Sequence, residues 1–129
     1  MRLKRIQIVV QDREDFYQQV REAFSRVAKA AQRGKTLPKA TPVLSFPSIA
    51  EMARTLTPKR LELLRLIRRH RPQSARQLAS LAKRDIKNVS TDLRVLENLG
   101  LVEVEEREAS RQPKHLRSAF DRLDLHVYL

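Results

Sequence analysis

The chain has no cysteine and no tryptophan, only two glycines, and aromatic residues make up 5% of its 129 positions. Without cysteine there is no disulfide framework, no thiolate metal site and no thiol nucleophile. Scarce glycine and aromatic residues point away from β-sandwiches and barrels, whose turns and packed faces use both. No run of about 18 apolar residues occurs, so no transmembrane helix is expected. The apolar patch of MRLKRIQIVVQD is too short, and too soon interrupted by charge, for a signal peptide. The expected location is the cytoplasm, which the lack of cysteine suits.

Catalytic signatures are missing as well. His70, His115 and His126 lie far apart and lack partners at metal-ligand spacing. There is no glycine-rich phosphate loop, nucleophile elbow or paired-carboxylate motif. Glu103, Glu105, Glu106 and Glu108 could imitate an acid/base cluster, but alternate residues of a strand point to opposite faces. The sequence therefore predicts no enzyme, no bound metal and no cofactor.

What the chain does have is positive charge, 27 Lys and Arg against 15 Asp and Glu, for a net +12. The 41% of apolar residues is enough for a single core. Between Thr57 and Leu99 there are 11 basic and 4 acidic residues, a net +7 in 43 positions. A field concentrated in this way attracts polyanions and speeds their encounter.

Periodicity places the elements. Ile6, Ile8 and Val10 alternate over residues 3–10, as in a strand. Asp12 is positioned to cap a helix over about 13–33, with Glu14 and Asp15 in its first turn. Its apolar residues Phe16, Val20, Ala23, Phe24, Val27 and Ala31 step by three and four, which predicts one buried face and an end at Gly34. GKTLPKATP then reads as a linker. Val43, Leu44 and Phe46 suggest a short strand, and Ser48 with Glu51 has the capping-box spacing of a short helix to about Arg54.

Three helical segments follow in close succession. Thr57 caps the first, with Pro58 at the position where a missing N–H costs nothing. Leu61, Leu64 and Ile67 lie along one side of it, and Arg71-Pro72 stops it. Ser74 and Gln77 repeat the capping-box spacing ahead of Leu78, Ala79, Leu81 and Ala82. After Lys83-Arg84, Asp85 is expected to cap the third helix, which Gly100 ends. LVEVEE begins a strand, residues 107–118 read as a loop or wing, and LDLHVYL alternates as a strand with one covered face.

The third of these helices carries the functional expectation. On a helical wheel Ile86, Val89, Leu93 and Leu96 fall within about 80° and form a buried stripe. Opposite lie Lys87, Thr91, Arg94 and Asn98, with Asn88 and Ser90 flanking the stripe. A helix that follows a short helix and a tight turn, with cations and hydrogen-bonding groups outward, is a reader for the DNA major groove. Arg and Lys pair with guanine, Asn with adenine, and Ser or Thr with either. Lys87, Asn88, Ser90, Thr91 and Arg94 are the expected base readers. Ser74, Arg76, Lys83 and Arg84 are expected on backbone phosphates.

The run Ser74-Ala-Arg-Gln-Leu78-Ala79, then Asn88-Val89-Ser90, Leu93 and Leu96-Glu97-Asn98-Leu99-Gly100-Leu101-Val102, resembles winged helix-turn-helix regulators of the MarR-like type. It looks closest to a group of putative DNA-binding proteins of archaea and bacteria. The resemblance covers residues 57–106. It implies a helix in the major groove, a wing near the minor groove or backbone, and a homodimer on a two-fold operator. Arg111, Lys114 and Arg117 are then the wing candidates. The chain departs from the pattern by lacking an Asp-x-Arg triplet between Arg107 and Arg117, and by an acidic strand ahead of the wing.

The resulting expectation is an α+β, mainly α fold, a winged helix-turn-helix domain over 41–129. An N-terminal strand-helix extension and linker over 1–40 is either packed on the core or a dimerisation element. The function expected is a sequence-specific double-stranded DNA-binding transcriptional regulator. The alternative is an antitoxin that binds a protein toxin and regulates its own operon. RNA binding is disfavoured, because few aromatics are available to stack on unpaired bases.

Overall fold

The computed structural model describes residues 3–35, 41–105 and 115–129. Among them are five helices and five strands, an α+β arrangement dominated by helix. They fall into two compact units. One comprises residues 5–52 and 123–129, the other residues 53–122 with the start of the chain.

In the first unit, β1 (Arg5–Val10), α1 (Arg13–Gln32) and β2 (Val43–Phe46) follow one another, and β1 pairs with β2 in parallel, Gln7 opposite Val43 and Val10 opposite Phe46. Parallel neighbours need a long crossover, and α1 is that crossover. The strand order is β2-β1-β5, with β5 (Arg122–Val127) on the far side of β1. Central β1 buries Ile6, Ile8, Val9 and Val10, residues of both faces, as the inner strand of a parallel sheet does. The last strand, which sequence alone placed with residues 41–129, thus completes the sheet begun at residue 5.

Asp12 caps α1, its Oδ1 accepting from the Asp15 N–H at 2.9 Å. The expected buried face does not materialise: no residue of α1 is buried, and Phe24 is 75% exposed. Helical spacing records that an apolar stripe exists, not which surface covers it, and none of the described residues buries it. The covered face expected of β5 fails likewise, since Leu125 and Val127 are exposed.

The second unit holds α3 (Pro58–His70), α4 (Ala75–Ala82) and α5 (Ile86–Asn98), then β3 (Val102–Glu105) and β4 (His115–Ser118). Short α2 (Ile49–Thr55) precedes them, with the Ser48 hydroxyl accepting from the Glu51 N–H. Thr57 and Ser74 cap α3 and α4 by accepting from the Arg60 and Gln77 N–H groups. Leu63, Leu64 and Ile67 of α3, Leu78 and Ala79 of α4, and Val89, Leu93 and Leu96 of α5 make the core, with Leu101, Val102 and Leu116 from the strands. Removing each large member of this set from water is worth about 1.5–3 kcal/mol. Leu61, Leu81 and Ile86, assigned to apolar faces from spacing, stay exposed. Ile86 is the first residue of α5.

β3 and β4 pair antiparallel, Val102 opposite Ser118 and Glu105 opposite His115. The chain turns from α5 into β3 at Gly100, whose φ of +77° suits a residue without Cβ. Of the loop or wing expected over residues 107–118, the last four residues form β4 instead, paired to β3, and the part that includes Arg111 and Lys114 lies outside the described residues.

Candidate nucleic-acid interface

Helices α4 and α5 are joined by three residues, Lys83, Arg84 and Asp85. Lys83 takes a left-handed conformation, φ +54°, and turns the chain sharply while its N–H caps α4 on the Ala79 and Ser80 carbonyls. Asp85 is extended, as a cap should be, yet its carboxylate makes no capping bond. The expectation of a side-chain cap there is corrected. The first N–H groups of α5 receive no bond from the Asp85 side chain.

Asp92 anchors the helix instead. Its Oδ1 accepts from Arg60 Nε at 3.0 Å and its Oδ2 from Arg84 Nη2 at 2.6 Å, all three side chains largely shielded from solvent. Arg60 Nη1 also donates to the carbonyls of Arg54 and Thr55. One guanidinium therefore ties the end of α2, the start of α3 and the middle of α5. Burial works to raise the Asp92 carboxyl, but hydrogen bonds from Arg84 and Arg60, reinforced by their charges, outweigh it and lower its pKa. With two guanidinium groups on one carboxylate, Arg84 Nη1 is left buried without a partner.

This arrangement redirects one expected contact. Arg84, assigned from sequence to a phosphate, is occupied by Asp92 and half-buried. The spacing of eight residues between Arg84 and Asp92 hid the pairing, and the 32 residues separating Arg60 from Asp92 hid it further.

The other expected residues lie on the surface. Lys87, Asn88, Thr91 and Arg94 are exposed along α5, opposite buried Val89, Leu93 and Leu96. The Thr91 hydroxyl donates to the Lys87 carbonyl at 3.0 Å, which holds the side chain and leaves its oxygen able to accept. Arg76 projects from the first turn of α4 and Lys83 from its end, both exposed. Among the described residues, Arg76, Lys83, Lys87 and Arg94 pair with no acidic side chain. Ser74 accepts the Gln77 N–H and keeps its own O–H free to donate.

Ser90 is half-buried, and with Arg94 it lines an open groove of about 750 Å³ between α5, the start of α4 and the β3–β4 pair. Gln73, Ser74 and Glu97 also line it. Gln73 and Glu97 were not among the residues expected from sequence. Gln73 had a legible signal, because its N–H donates to Gln77 Oε1 at 2.7 Å and so closes the box that Ser74 opens. Glu103, on β3, is held by Arg117 across the pair at 2.6 Å. The acidic strand thus has at least one of its charges answered by a basic neighbour.

The arrangement defines an α+β protein in which a helix presents Lys87 and Arg94 to solvent and packs against a small antiparallel strand pair. Residues 55–125, more than half of the chain, match the family described as HVO_A0114, and the chain belongs to that family. No curated protein matches the sequence. None of the helices among the described residues is long and apolar enough to cross a membrane.

Proposed function

We propose that this protein is a sequence-specific double-stranded DNA-binding transcriptional regulator of the winged helix-turn-helix, MarR-like kind, with α5 in the major groove. The observation that carries the reading is the two-sidedness of α5. Val89, Leu93 and Leu96 fix it to the core, while Lys87, Asn88, Thr91 and Arg94 are left to solvent, and neither cation forms an ion pair among the described residues. A helix of about 12 Å diameter with its side chains fits a major groove of similar width.

In this reading the first turns of α5 meet base edges. Arg94 and Lys87 donate to guanine, and Asn88 makes the two-bond contact that adenine offers. Arg76 and Lys83, at the two ends of α4, hold phosphates on either side of the groove, and the Ser74 O–H adds a donor. The β3–β4 pair takes the place of the wing. Arg84 acts behind the surface, keeping α5 in position through Asp92.

Selection from a random duplex pool tests this directly. Enrichment of a defined motif, lost on replacing Arg94 and Asn88 together, is the expected result. Retention of duplex with no sequence enriched over many rounds would remove specific recognition from the proposal.

A further inference from the structure

The groove beside α5 carries chemistry that the proposed DNA contacts do not use. It measures about 750 Å³ and lies within one compact unit, between α5, the start of α4 and the β3–β4 pair. Clefts that take small molecules span about 300–1,000 Å³, with a mostly apolar lining and a few placed polar groups. Here Leu93, Val102, Val104 and Leu116 supply the apolar side, and the charged residues of the lining are Arg94 and Glu97.

Those two charges are of opposite sign and one helical turn apart, so their Cβ atoms stand about 5–6 Å from each other. Both side chains are exposed, and neither forms an ion pair among the described residues, with the other or with a third group. Arginine ahead of the acid is the less favourable order for pairing within a helix. A carboxylate beside a phosphate-binding surface is repelled by DNA, whereas an ammonium is drawn to it. The Ser74 hydroxyl lines the same groove, and it keeps a free O–H while accepting from the Gln77 N–H.

We propose that the groove binds a free α-amino acid with an apolar side chain. The carboxylate takes the Arg94 guanidinium and the Ser74 O–H, and the ammonium takes Glu97. The side chain lies on Leu93, Val104 and Leu116. Charge-assisted bonds at the two ends fix the direction of the ligand. The apolar side disfavours acidic and basic amino acids, whose charges would be desolvated there. In a longer peptide the ammonium and carboxylate stand at opposite ends, so adjacent charges single out the free amino acid. The regulatory consequence rests on the DNA-binding reading: Arg94 and Ser74 cannot serve amino acid and duplex together, so the amino acid releases DNA.

Amide NMR titration of the full chain without DNA tests the site. L-leucine and L-phenylalanine should bind at millimolar concentration or below and shift the signals of Ser74, Ser90, Arg94 and Glu97. Glycine should bind about tenfold more weakly or worse, for want of a side chain. L-leucinamide, which lacks the carboxylate, and N-acetyl-L-leucine, which lacks the ammonium, should each lose about tenfold or more. Each variant should be blind to the group it no longer meets. Glu97→Gln should bind L-leucine and N-acetyl-L-leucine alike, and Arg94→Gln should bind L-leucine and L-leucinamide alike, both with the far-UV spectrum of the wild type. In a gel shift on random duplex, L-leucine should weaken wild-type binding and leave Glu97→Gln unaffected. No binding of either amino acid at millimolar concentration would overturn the site. So would equal affinity for L-leucine, its amide and its N-acetyl derivative, or full affinity in both variants. The NMR titration contains no DNA, so failure of the duplex-binding reading shows separately, as a chain that shifts no duplex with or without L-leucine.

Discussion

Asp92 is the residue on which the geometry of the exposed helix turns. It lies on the same helix as the outward cations, yet both its oxygens face inward to Arg60 and Arg84. Asp92→Asn removes the charge from a shielded pair and should destabilise the protein by about 3 kcal/mol, read by urea denaturation at pH 7. The pH dependence has a defined sign. The folded-state pKa of Asp92 lies below its ordinary 3.8, so the contribution is fully present above that value and is lost as pH falls through the folded-state pKa. The gap in stability between wild type and Asp92→Asn should therefore narrow on acidification below 3.8 and be constant between neutrality and about pH 6. A gap that widened in acid would contradict the ion pair.

The outward residues divide by role at the same scale. Arg94→Ala or Asn88→Ala should cost about 1–3 kcal/mol at one or two positions of the selected site and leave random duplex little changed. Lys83→Ala should weaken all sequences alike and reduce the salt slope by about one. Gel-shift titrations of both duplexes at several salt concentrations distinguish the two patterns, and identical losses on both would refute the division.

Among the elements, the caps give a graded expectation. Ser74 and Thr57 accept N–H bonds at the starts of α4 and α3, whereas the Asp85 side chain accepts none. Ser74→Ala and Thr57→Ala should each cost about 1 kcal/mol, and Asp85→Ala much less, in thermal unfolding of the three variants. Equal losses at all three sites would mean that α5 is capped after all.

The succession of elements was legible because each boundary carries its own chemistry. Asp12, Ser48, Thr57 and Ser74 start helices where their spacing to the following residues says they should, and Gly34 and Gly100 stop them. Partnership over distance was not legible. Nothing local joins Arg60 to Asp92, or β5 to β1, because those pairings depend on how distant segments meet. The stripe of α1 misled for a related reason: its spacing is that of a packed helix, yet none of the described residues buries it. For the candidate interface, the outward row of α5 followed from the wheel, while the withdrawal of Arg84 required the structure.

At the scale of the whole molecule, the distribution of charge matters more than its total. A net +12 draws polyanions in general, but only cations not already answered by acids release counterions on binding. If Arg76 and Lys83 hold phosphates as proposed, each copy should make about two phosphate contacts, and the logarithmic salt slope for random duplex should be about −2 per copy.

The two faces of α5 carry separate responsibilities. The side chains of Lys87, Asn88, Thr91 and Arg94 make no hydrogen bond or ion pair to another element among the described residues, while Val89, Asp92, Leu93 and Leu96 hold the helix in place. The first group can be exchanged as a block without disturbing the second. If α5 reads DNA as proposed, altering four letters of one helix should give this scaffold new binding preferences, with folding inherited from the other side.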